Sequence, residues 1–210
     1  MNNISQLLLL VGCQRSGTTL LAAMLGGHSE INMLAESNKK DVLQLIGKKY
    51  SGNKLILHRQ IRMYQRPSKF GYLVNRIVNL DLTIKPKKFH KNRVYPISEM
   101  SIQDYIEKGA KIITIVRNED EVIKSITKRT KMKVSRAKHE YKRSLEIIEK
   151  LKNKDNILHV QFSDLIHNTK QTLIEVCKFL EIDFEERMLK GPEYNFIYPN
   201  KGILKEKSKS

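Results

Sequence analysis

The stretch LLLLVGCQRSGTTLLAAML, residues 7–25, determines the fold class that we predict for this chain. It opens with an apolar run that is too short to cross a membrane and is typical of a buried parallel strand. Gly12 ends this run, a polar loop follows, and apolar residues recur at helical spacing after Gly17. A strand, a glycine-bounded loop and a helix form the arrangement in which backbone N–H groups at a helix start bind a phosphate. We therefore predict an anion-binding loop between the first strand and the first helix.

Further strands and helices alternate along the chain, which predicts an α/β fold with a parallel sheet. The other expected strands are at residues 31–34, 111–116 and 156–162. The other expected helices are at residues 39–49, 55–64, 101–108, 119–129, 134–151 and 169–180. Turn-forming residues predict a break at 50–53 and loop from 191 onward. We expect a single P-loop-type domain over residues 1–210, with a central parallel β-sheet flanked by helices and a flexible tail at 203–210.

The chain of 210 residues is strongly basic, with a formal net charge of +17 and an isoelectric point near 9.8. Residues 39–93 hold 15 Lys and Arg against Asp41 and Asp81, and residues 128–143 hold eight against Glu140. Two explanations stay open: a solubilising surface, or a field that gathers a polyanion such as an acidic peptide or a sulfated or uronic glycan. Nucleic acid is disfavoured, because no zinc spacing, RNP pattern or recognition helix is recognisable.

The cysteines and the hydropathy pattern narrow the class of protein further. Cys13 and Cys177 are too few for a disulfide framework, and no residues have the spacing of a metal-ligand cluster. The sequence shows no signal peptide and no apolar stretch long enough to span a bilayer. We therefore expect a cytoplasmic protein without a metal, although a luminal catalytic domain trimmed from a longer chain would have the same features.

The loop after the first strand carries a specific motif. Its spacing, Gly12-x4-Gly17, matches a Walker A loop, but threonines stand where a kinase or ATPase needs a lysine, and the cation comes earlier, at Arg15. The segment resembles the P-[KR]-S-G-T-[TS] loop of the sulfotransferases that use 3′-phosphoadenosine 5′-phosphosulfate (PAPS), with glutamine in place of proline. The resemblance implies that backbone amides, hydroxyls and the guanidinium grip the 5′-phosphosulfate. The residues concerned are Gln14, Arg15, Ser16, Gly17, Thr18 and Thr19.

A second motif follows the strand predicted at residues 111–116. The sequence from Arg117 to Ser125 resembles the family signature R-[ND]-P-x-[DE]-x-x-x-S, with Glu119 where proline is usual. In the family, this arginine and this serine hold the 3′-phosphate of PAPS. The motif also contains the pattern of a helix capping box. Because Arg15 and Arg117 both follow predicted parallel strands, we expect them to share one ligand.

Two later segments resemble the remainder of the family's donor site. Phe162, followed by Ser-Asp-Leu and a helix, resembles a Y-E-D-L element whose aromatic lies against the adenine. The segment 198–202 resembles the late K-G loop that closes over the 3′-phosphate, with Lys201 and Gly202 as candidates. From the residues alone, Phe162 fits a core aromatic at a strand end equally well, and Lys201 fits a surface lysine.

Catalysis of this kind requires an acceptor hydroxyl to lose its proton and a leaving phosphate oxygen to be stabilised. The spacing from Arg15 to Glu36 resembles most closely the tyrosylprotein sulfotransferase branch, in which a glutamate at this position is the catalytic base. The same resemblance makes Arg15 and Lys91 the catalytic cations, with Arg93 as the alternative to Lys91. Without the resemblance, Glu36 also fits a capping residue for the helix after Ser37.

The resemblance therefore implies a sulfotransferase that moves the sulfuryl group from PAPS to a hydroxyl acceptor and releases 3′-phosphoadenosine 5′-phosphate (PAP). The basic region at residues 39–93 favours an acidic peptide tyrosine or a carbohydrate as that acceptor. Three alternatives stay open at this point: a nucleotide or nucleoside kinase of the P-loop type, a non-catalytic polyanion-binding protein, and an inactive relative of the family.

Overall fold

A parallel β-sheet forms the centre of the computed structural model, which describes residues 5–37, 39–57, 100–152, 155–196 and 204–206. The strands of this sheet are β1 (Gln6–Gly12), β2 (Ile31–Ala35), β3 (Tyr50–Ile56), β4 (Lys111–Val116) and β5 (Ile157–Gln161). They run in the order β2-β3-β1-β4-β5, and every pairing is parallel. The predicted α/β fold with a central parallel sheet is thus confirmed.

Helices connect the strands and cover both faces of the sheet, as parallel pairing requires. They are α1 (Thr18–Gly26), α2 (Lys39–Leu43), α3 (Ile102–Glu107), α4 (Glu119–Thr130), α5 (Val134–Leu151), α6 (Phe162–His167) and α7 (Thr169–Phe179). A 3₁₀ helix, Glu186–Glu193, leads into an antiparallel pair, β6 (Tyr194–Phe196) and β7 (Leu204–Glu206). No helix among the described residues is both long and apolar enough for a membrane span.

The apolar run of β1 is buried because its side chains alternate between two separate cores. Leu8 and Leu10 pack in one core with residues of α1 and α7. Leu9 and Val11 pack in the other core with residues of α3 and α5. A strand covered on both faces needs apolar residues at every position, which explains why the run does not alternate with polar residues.

Helix α4 begins two residues after the end of β4, so the second motif, residues 117–125, spans this connection and the first turns of the helix. The Asn118 side-chain oxygen accepts hydrogen bonds from the backbone N–H of Asp120 at 3.0 Å and of Glu121 at 3.3 Å. This is the expected N-cap. In a full capping box, the Glu121 carboxylate would accept a hydrogen bond from the Asn118 backbone N–H. Here it accepts a 2.7 Å hydrogen bond from Arg117 Nε.

The prediction for residues 50–56 was wrong, whereas Leu57, the last described residue of this segment, is helical as predicted. In place of a break at 50–53 and a helix from 55, the chain forms β3 between β1 and β2. The polar residues of β3 are buried, and each has a partner: Ser51 Oγ donates to the Val42 carbonyl at 2.6 Å, and Asn53 bonds to the backbone of Ser37. Hydrophobic periodicity misses a strand whose buried residues are polar.

Three further segments differ from the sequence-based expectation. The helix predicted at residues 39–49 ends at Leu43, and the segment predicted as loop from 191 contains the strands β6 and β7. The strand predicted at 156–162 ends at Gln161, so that Phe162 is the first residue of α6. This last shift places Phe162 at the carboxyl edge of the sheet.

We predict that Leu9→Ala lowers the free energy of unfolding by about 2–5 kcal/mol, because it leaves a cavity in a core that cannot fully relax. Leu9 is completely buried, whereas Leu43 is 44% exposed and serves as the matched control. Chemical denaturation of both variants measures the difference. Equal losses for Leu9→Ala and Leu43→Ala would contradict the burial of β1.

Candidate functional site

The candidate site lies at the carboxyl edge of the sheet, at the residues that follow β1, β4, β5 and β2. Gly12 at the end of β1 pairs with Ile56 of β3 on one side and with Ile115 of β4 on the other. The loop at residues 13–17 therefore begins in the middle of the sheet. Arg117 follows β4, Phe162 follows β5, and Glu36 follows β2. Ligands of parallel α/β sheets bind at this edge.

The loop at residues 13–17 is tightly folded. Arg15 and Gly17 have positive φ angles of 68° and 98°. The buried Ser16 Oγ donates a 2.6 Å hydrogen bond to the Cys13 carbonyl, so this hydroxyl holds the loop itself together. Thr18 is buried at the start of α1, whereas Thr19 beside it is exposed. Of the hydroxyls predicted to contact a ligand, that of Thr19 is therefore the most accessible.

Gly17 lies against Phe162, which joins the first loop to the end of β5. A Cβ atom on Gly17 would be 2.3 Å from Phe162 Cδ2, far closer than side-chain atoms approach. Glycine is thus required at position 17 for two reasons: the backbone has a positive φ angle, and the Phe162 ring leaves no space for a side chain. The loop and the aromatic residue predicted to border the adenine are in direct contact.

The two sequence motifs meet through Arg15. Its guanidinium donates from Nε to Ser125 Oγ at 2.9 Å. Arg117 Nη1 lies 3.4 Å from the Arg15 carbonyl oxygen and donates to it. Residues from two loops that are about one hundred positions apart in the chain thus form one cluster at the sheet edge.

Arg117 is fixed from three directions. Its guanidinium stacks over the Phe162 ring at 4.3 Å from the centroid and pairs with Glu121 at 2.7 Å. The Tyr141 hydroxyl of α5 donates to the Arg117 carbonyl at 2.7 Å. A planar guanidinium that stacks on an aromatic ring is one of the features in which arginine differs from lysine.

The electrostatics of the cluster favour a negatively charged ligand. Partial burial lowers the pKa of Arg15, and the positive charges of Arg129 and Arg117 lower it further. Arg129, on α4, was not singled out from the sequence. Like charges held this close repel one another, and a bound anion relieves that repulsion.

Gln14, at the position where the family has proline, bonds to another element. Its side-chain Nε2 donates to Glu140 Oε2 of α5 at 2.8 Å. Glu140 is also 3.6 Å from Arg136. This hydrogen bond connects the loop to α5 through the Gln14 side chain. A proline at the same position would instead restrict the backbone φ angle of the loop.

Glu36 lies on the other side of the loop and is held by Lys54, which the sequence analysis missed. Lys54 Nζ is 2.8 Å from Glu36 Oε1, and the Lys54 carbonyl accepts a 2.8 Å hydrogen bond from the Glu36 N–H. Both side chains are largely shielded, at 2% and 10% exposure. Glu36 also has a positive φ of 54°, an uncommon angle for a residue with a side chain. Recognising β3 would have placed Lys54 at the sheet edge.

Four of the predicted site residues lie outside the part of the chain that the structure describes: Lys91, Arg93, Lys201 and Gly202. Cys13 and Cys177 are buried, and burial raises the pKa of each thiol to about 11.

Within the described part of the chain, no group of three His, Cys, Asp or Glu side chains could hold a metal ion.

Ligands of parallel sheets bind at the carboxyl edge, and an arginine guanidinium suits a phosphate group through paired hydrogen bonds. The family model of the sulfotransferase domain matches residues 6–200, and the chain belongs to this family. Its members catalyse sulfuryl transfer, so the family-level prediction made from the two motifs is confirmed. A comparison with curated proteins found no match.

Solved structures of sulfotransferases share the fold. The domain from the curacin biosynthetic pathway is 20% identical, with a TM-score of 0.51, over 90% of this chain and 78% of that one. The domain from the Synechococcus PCC 7002 olefin synthase is 21% identical, with a TM-score of 0.53, over 91% and 78%. Mouse SULT7A1, crystallised with PAP, is 14% identical, with a TM-score of 0.53, over 89% and 62%.

We predict that Gly17→Ala lowers the free energy of unfolding more than Gly47→Ala does. Gly47 has a similar φ of 90°, but nothing lies within 4 Å of its added Cβ, so it reports the backbone strain alone, about 1–2 kcal/mol. Chemical denaturation measures both. Adding Phe162→Ala should recover much of the extra loss at Gly17. If the double variant recovers nothing, the contact with the ring does not explain the requirement for glycine.

Proposed function

We propose that this protein is a PAPS-dependent sulfotransferase that transfers the sulfuryl group to a hydroxyl acceptor, with Glu36 as the general base. The observation that carries the proposal is the cluster in which Arg15 contacts Ser125 at 2.9 Å and Arg117 lies against the Arg15 carbonyl. These are the residues whose motifs resemble the two phosphate-binding elements of the family. Their convergence supports one ligand with two anionic groups.

In this proposal, the donor is held by two sets of residues. Arg15, with the backbone N–H groups of the loop and the exposed Thr19 hydroxyl, binds the 5′-phosphosulfate. Arg117 and Ser125 bind the 3′-phosphate. The described residues fit such a ligand, because Arg15 has a hydroxyl partner and cationic neighbours but no carboxylate partner within this part of the chain. Lys201 and Gly202 remain predicted contacts to the 3′-phosphate.

Phe162 borders the proposed nucleotide site. Its ring packs against Gly17 on one side and carries the Arg117 guanidinium at 4.3 Å. A ring held in this way presents an apolar edge beside two phosphate-binding elements, which suits a purine base. Phe162 lacks the phenol of the family's usual tyrosine, so we propose that it contributes packing alone.

The reaction assigns a separate role to Glu36. PAPS supplies the activated sulfuryl group. As the bond from the acceptor oxygen to sulfur forms and the bond from sulfur to the phosphate oxygen breaks, the Glu36 carboxylate accepts the acceptor's proton. Arg15 stabilises the charge that develops on the leaving phosphate oxygen.

Lys54 positions the proposed base. It donates to Glu36 Oε1 at 2.8 Å and accepts from the Glu36 backbone, so side chain and main chain are held by the same residue. A base held at two points has little freedom to turn away from an acceptor. Lys91, with Arg93 as the alternative, remains the predicted second catalytic cation.

The charge of the chain supports an acidic acceptor, such as a tyrosine in an acidic peptide or an acidic carbohydrate. The net charge of +17 exceeds what one tetravalent donor would neutralise. The basic region at 39–93 carries most of this excess charge, with 15 Lys and Arg against two acidic residues.

We predict that PAP binds the protein and that Arg117→Ala weakens this binding by roughly ten- to a hundredfold, the effect of losing a charge-assisted hydrogen bond. Isothermal titration calorimetry with PAP, ATP and AMP measures the affinities. Arg143→Ala is the matched control, since Arg143 is a partly exposed arginine paired with Glu146 on α5. A preference for ATP would favour a kinase-like protein, and binding unaffected by Arg117→Ala would place the nucleotide elsewhere.

We predict that Glu36→Gln leaves PAP affinity unchanged and reduces sulfuryl transfer by about a hundredfold or more, as expected for loss of a general base. Glutamine has the same shape as glutamate and keeps an oxygen to which Lys54 Nζ can donate. Transfer of labelled sulfate from PAPS, together with PAP titration, separates the two effects. Glu30→Gln, at an exposed glutamate before β2, is the control. Loss of PAP binding in Glu36→Gln would make Glu36 structural.

A further inference from the structure

Helix α5 packs against the loop at residues 13–17 and against the start of the second motif. Cys13, the first residue of the loop, is buried in a core cluster with Ala137 and Tyr141 of α5. The Tyr141 hydroxyl also donates a 2.7 Å hydrogen bond to the Arg117 carbonyl. The middle of α5 is therefore in contact with both segments of the proposed donor site.

Glu140, which precedes Tyr141 on α5, is bonded directly to the loop. Its Oε2 accepts a 2.8 Å hydrogen bond from Gln14 Nε2, and its side chain is only 12% exposed. Arg136, about one helical turn earlier, has its Nε 3.6 Å from Glu140 Oε1. A hydrogen bond to an ionised group is stronger than one between neutral groups, and shielding from water strengthens it further.

Gln14 stands directly before a residue whose backbone needs support. Arg15 has a φ of 68°, in the left-handed region that residues with a side chain rarely adopt. Such a conformation persists only when the surrounding structure holds it in place. After Arg15, Ser16 bonds to the Cys13 carbonyl through its N–H at 3.2 Å and its Oγ at 2.6 Å. Before Arg15, the Gln14 side chain is held by Glu140, so the loop is fixed on both sides of its arginine.

The charge of Glu140 does not by itself favour an anion site. A carboxylate repels an anion that binds to the neighbouring loop, because the two charges have the same sign. Arg136 offsets this repulsion only in part, since its side chain is 62% exposed and water screens the pair. A favourable contribution of Glu140 therefore comes from the hydrogen bond that it accepts from Gln14.

We propose that Glu140 is a positioning residue: through Gln14, it holds the backbone of the loop, and with it Arg15, in the arrangement that binds the 5′-phosphosulfate. This inference rests on the proposed sulfotransferase function and adds to the donor site a residue that lies outside both sequence motifs. Glu140 does not touch the donor in this arrangement. Its effect is consequently confined to ligands that carry a 5′-phosphate and so reach the loop.

The test compares two ligands that differ only in the 5′-phosphate, PAP and adenosine 3′-phosphate. Calorimetric titration measures the affinity for PAP, and displacement of PAP measures the affinity for adenosine 3′-phosphate. We expect Glu140→Ala to weaken PAP binding about tenfold, the effect of losing a hydrogen bond to a charged group. Its affinity for adenosine 3′-phosphate should be unchanged, because this ligand depends on Arg117. Contacts outside the loop hold that arginine: Phe162, Glu121 and Tyr141.

A double-mutant cycle tests whether Glu140 acts through Gln14. Gln14→Ala removes the other partner of the same hydrogen bond, so it should weaken PAP binding to a similar extent. The double variant should bind PAP no more weakly than either single variant, since both substitutions break one interaction. Glu140→Gln keeps an oxygen that can accept from Gln14 Nε2 but loses the charge, so its PAP affinity should lie between those of the wild type and Glu140→Ala.

Glu146→Ala is the matched control. Glu146 is also a carboxylate of α5 that is paired with an arginine, with Arg143 Nε 3.7 Å from its Oε2. Its removal changes the net charge of the protein by the same amount as Glu140→Ala and should leave the affinity for PAP unchanged. If Glu140→Ala does not fold, the comparison of the two ligands in Gln14→Ala decides the question.

The inference is overturned if Glu140→Ala leaves PAP affinity unchanged, or if it weakens both ligands equally. Additive losses in the double variant would mean that Glu140 does not act through Gln14. Tighter PAP binding by Glu140→Gln would show that the charge of Glu140, and not its hydrogen bond, governs the site. In each of these cases, PAP binding that depends on Arg117 leaves the sulfotransferase proposal standing, whereas a wild-type protein that does not bind PAP overturns both proposals.

Discussion

The candidate site depends on the parallel pairing of β1 with a strand on each side. Parallel strands leave the sheet at the same edge, and their connections must return across a face of the sheet. The loop after β1 consequently lies at the same edge as the residues that follow β4 and β5 on one side, and as Lys54 of β3 and the residue that follows β2 on the other. No single connection could supply arginines, an aromatic ring and a carboxylate within one site. The register of the sheet assembles them.

The two sides of the site differ in how their charges are handled. On the side of β4, Arg15 and Arg117 are partly exposed and repel one another, so that this side gains stability when an anion binds. On the side of β3, Lys54 and Glu36 form a shielded pair that is complete without a ligand. An ion pair of this kind costs desolvation energy and fixes geometry rather than adding much stability. One side is built to bind charge, and the other to hold a carboxylate in a defined position.

The sequence was enough to predict β1 and the loop at residues 13–17. A run of apolar residues indicates the strand, and two glycines bound the loop, so neither prediction needs information from the rest of the chain. Such local signals were not enough for β3, where Ser51, Asn53 and Lys54 are polar, buried and satisfied by partners from other elements. Hydrogen bonds to other elements depend on the tertiary structure, and hydrophobic periodicity gives no information about them.

The pairing of Arg117 with Glu121 has a consequence for which anions the site accepts. The carboxylate is tethered one helical turn from the arginine, so its effective concentration is far higher than that of a dilute free ion. Chloride or a lone phosphate has to compete with this resident counter-ion for a single guanidinium. A ligand with several negative charges competes more successfully, because it engages other cations at the same time. In the proposed donor site, Glu121 would therefore favour a ligand with several negative charges over an anion with only one.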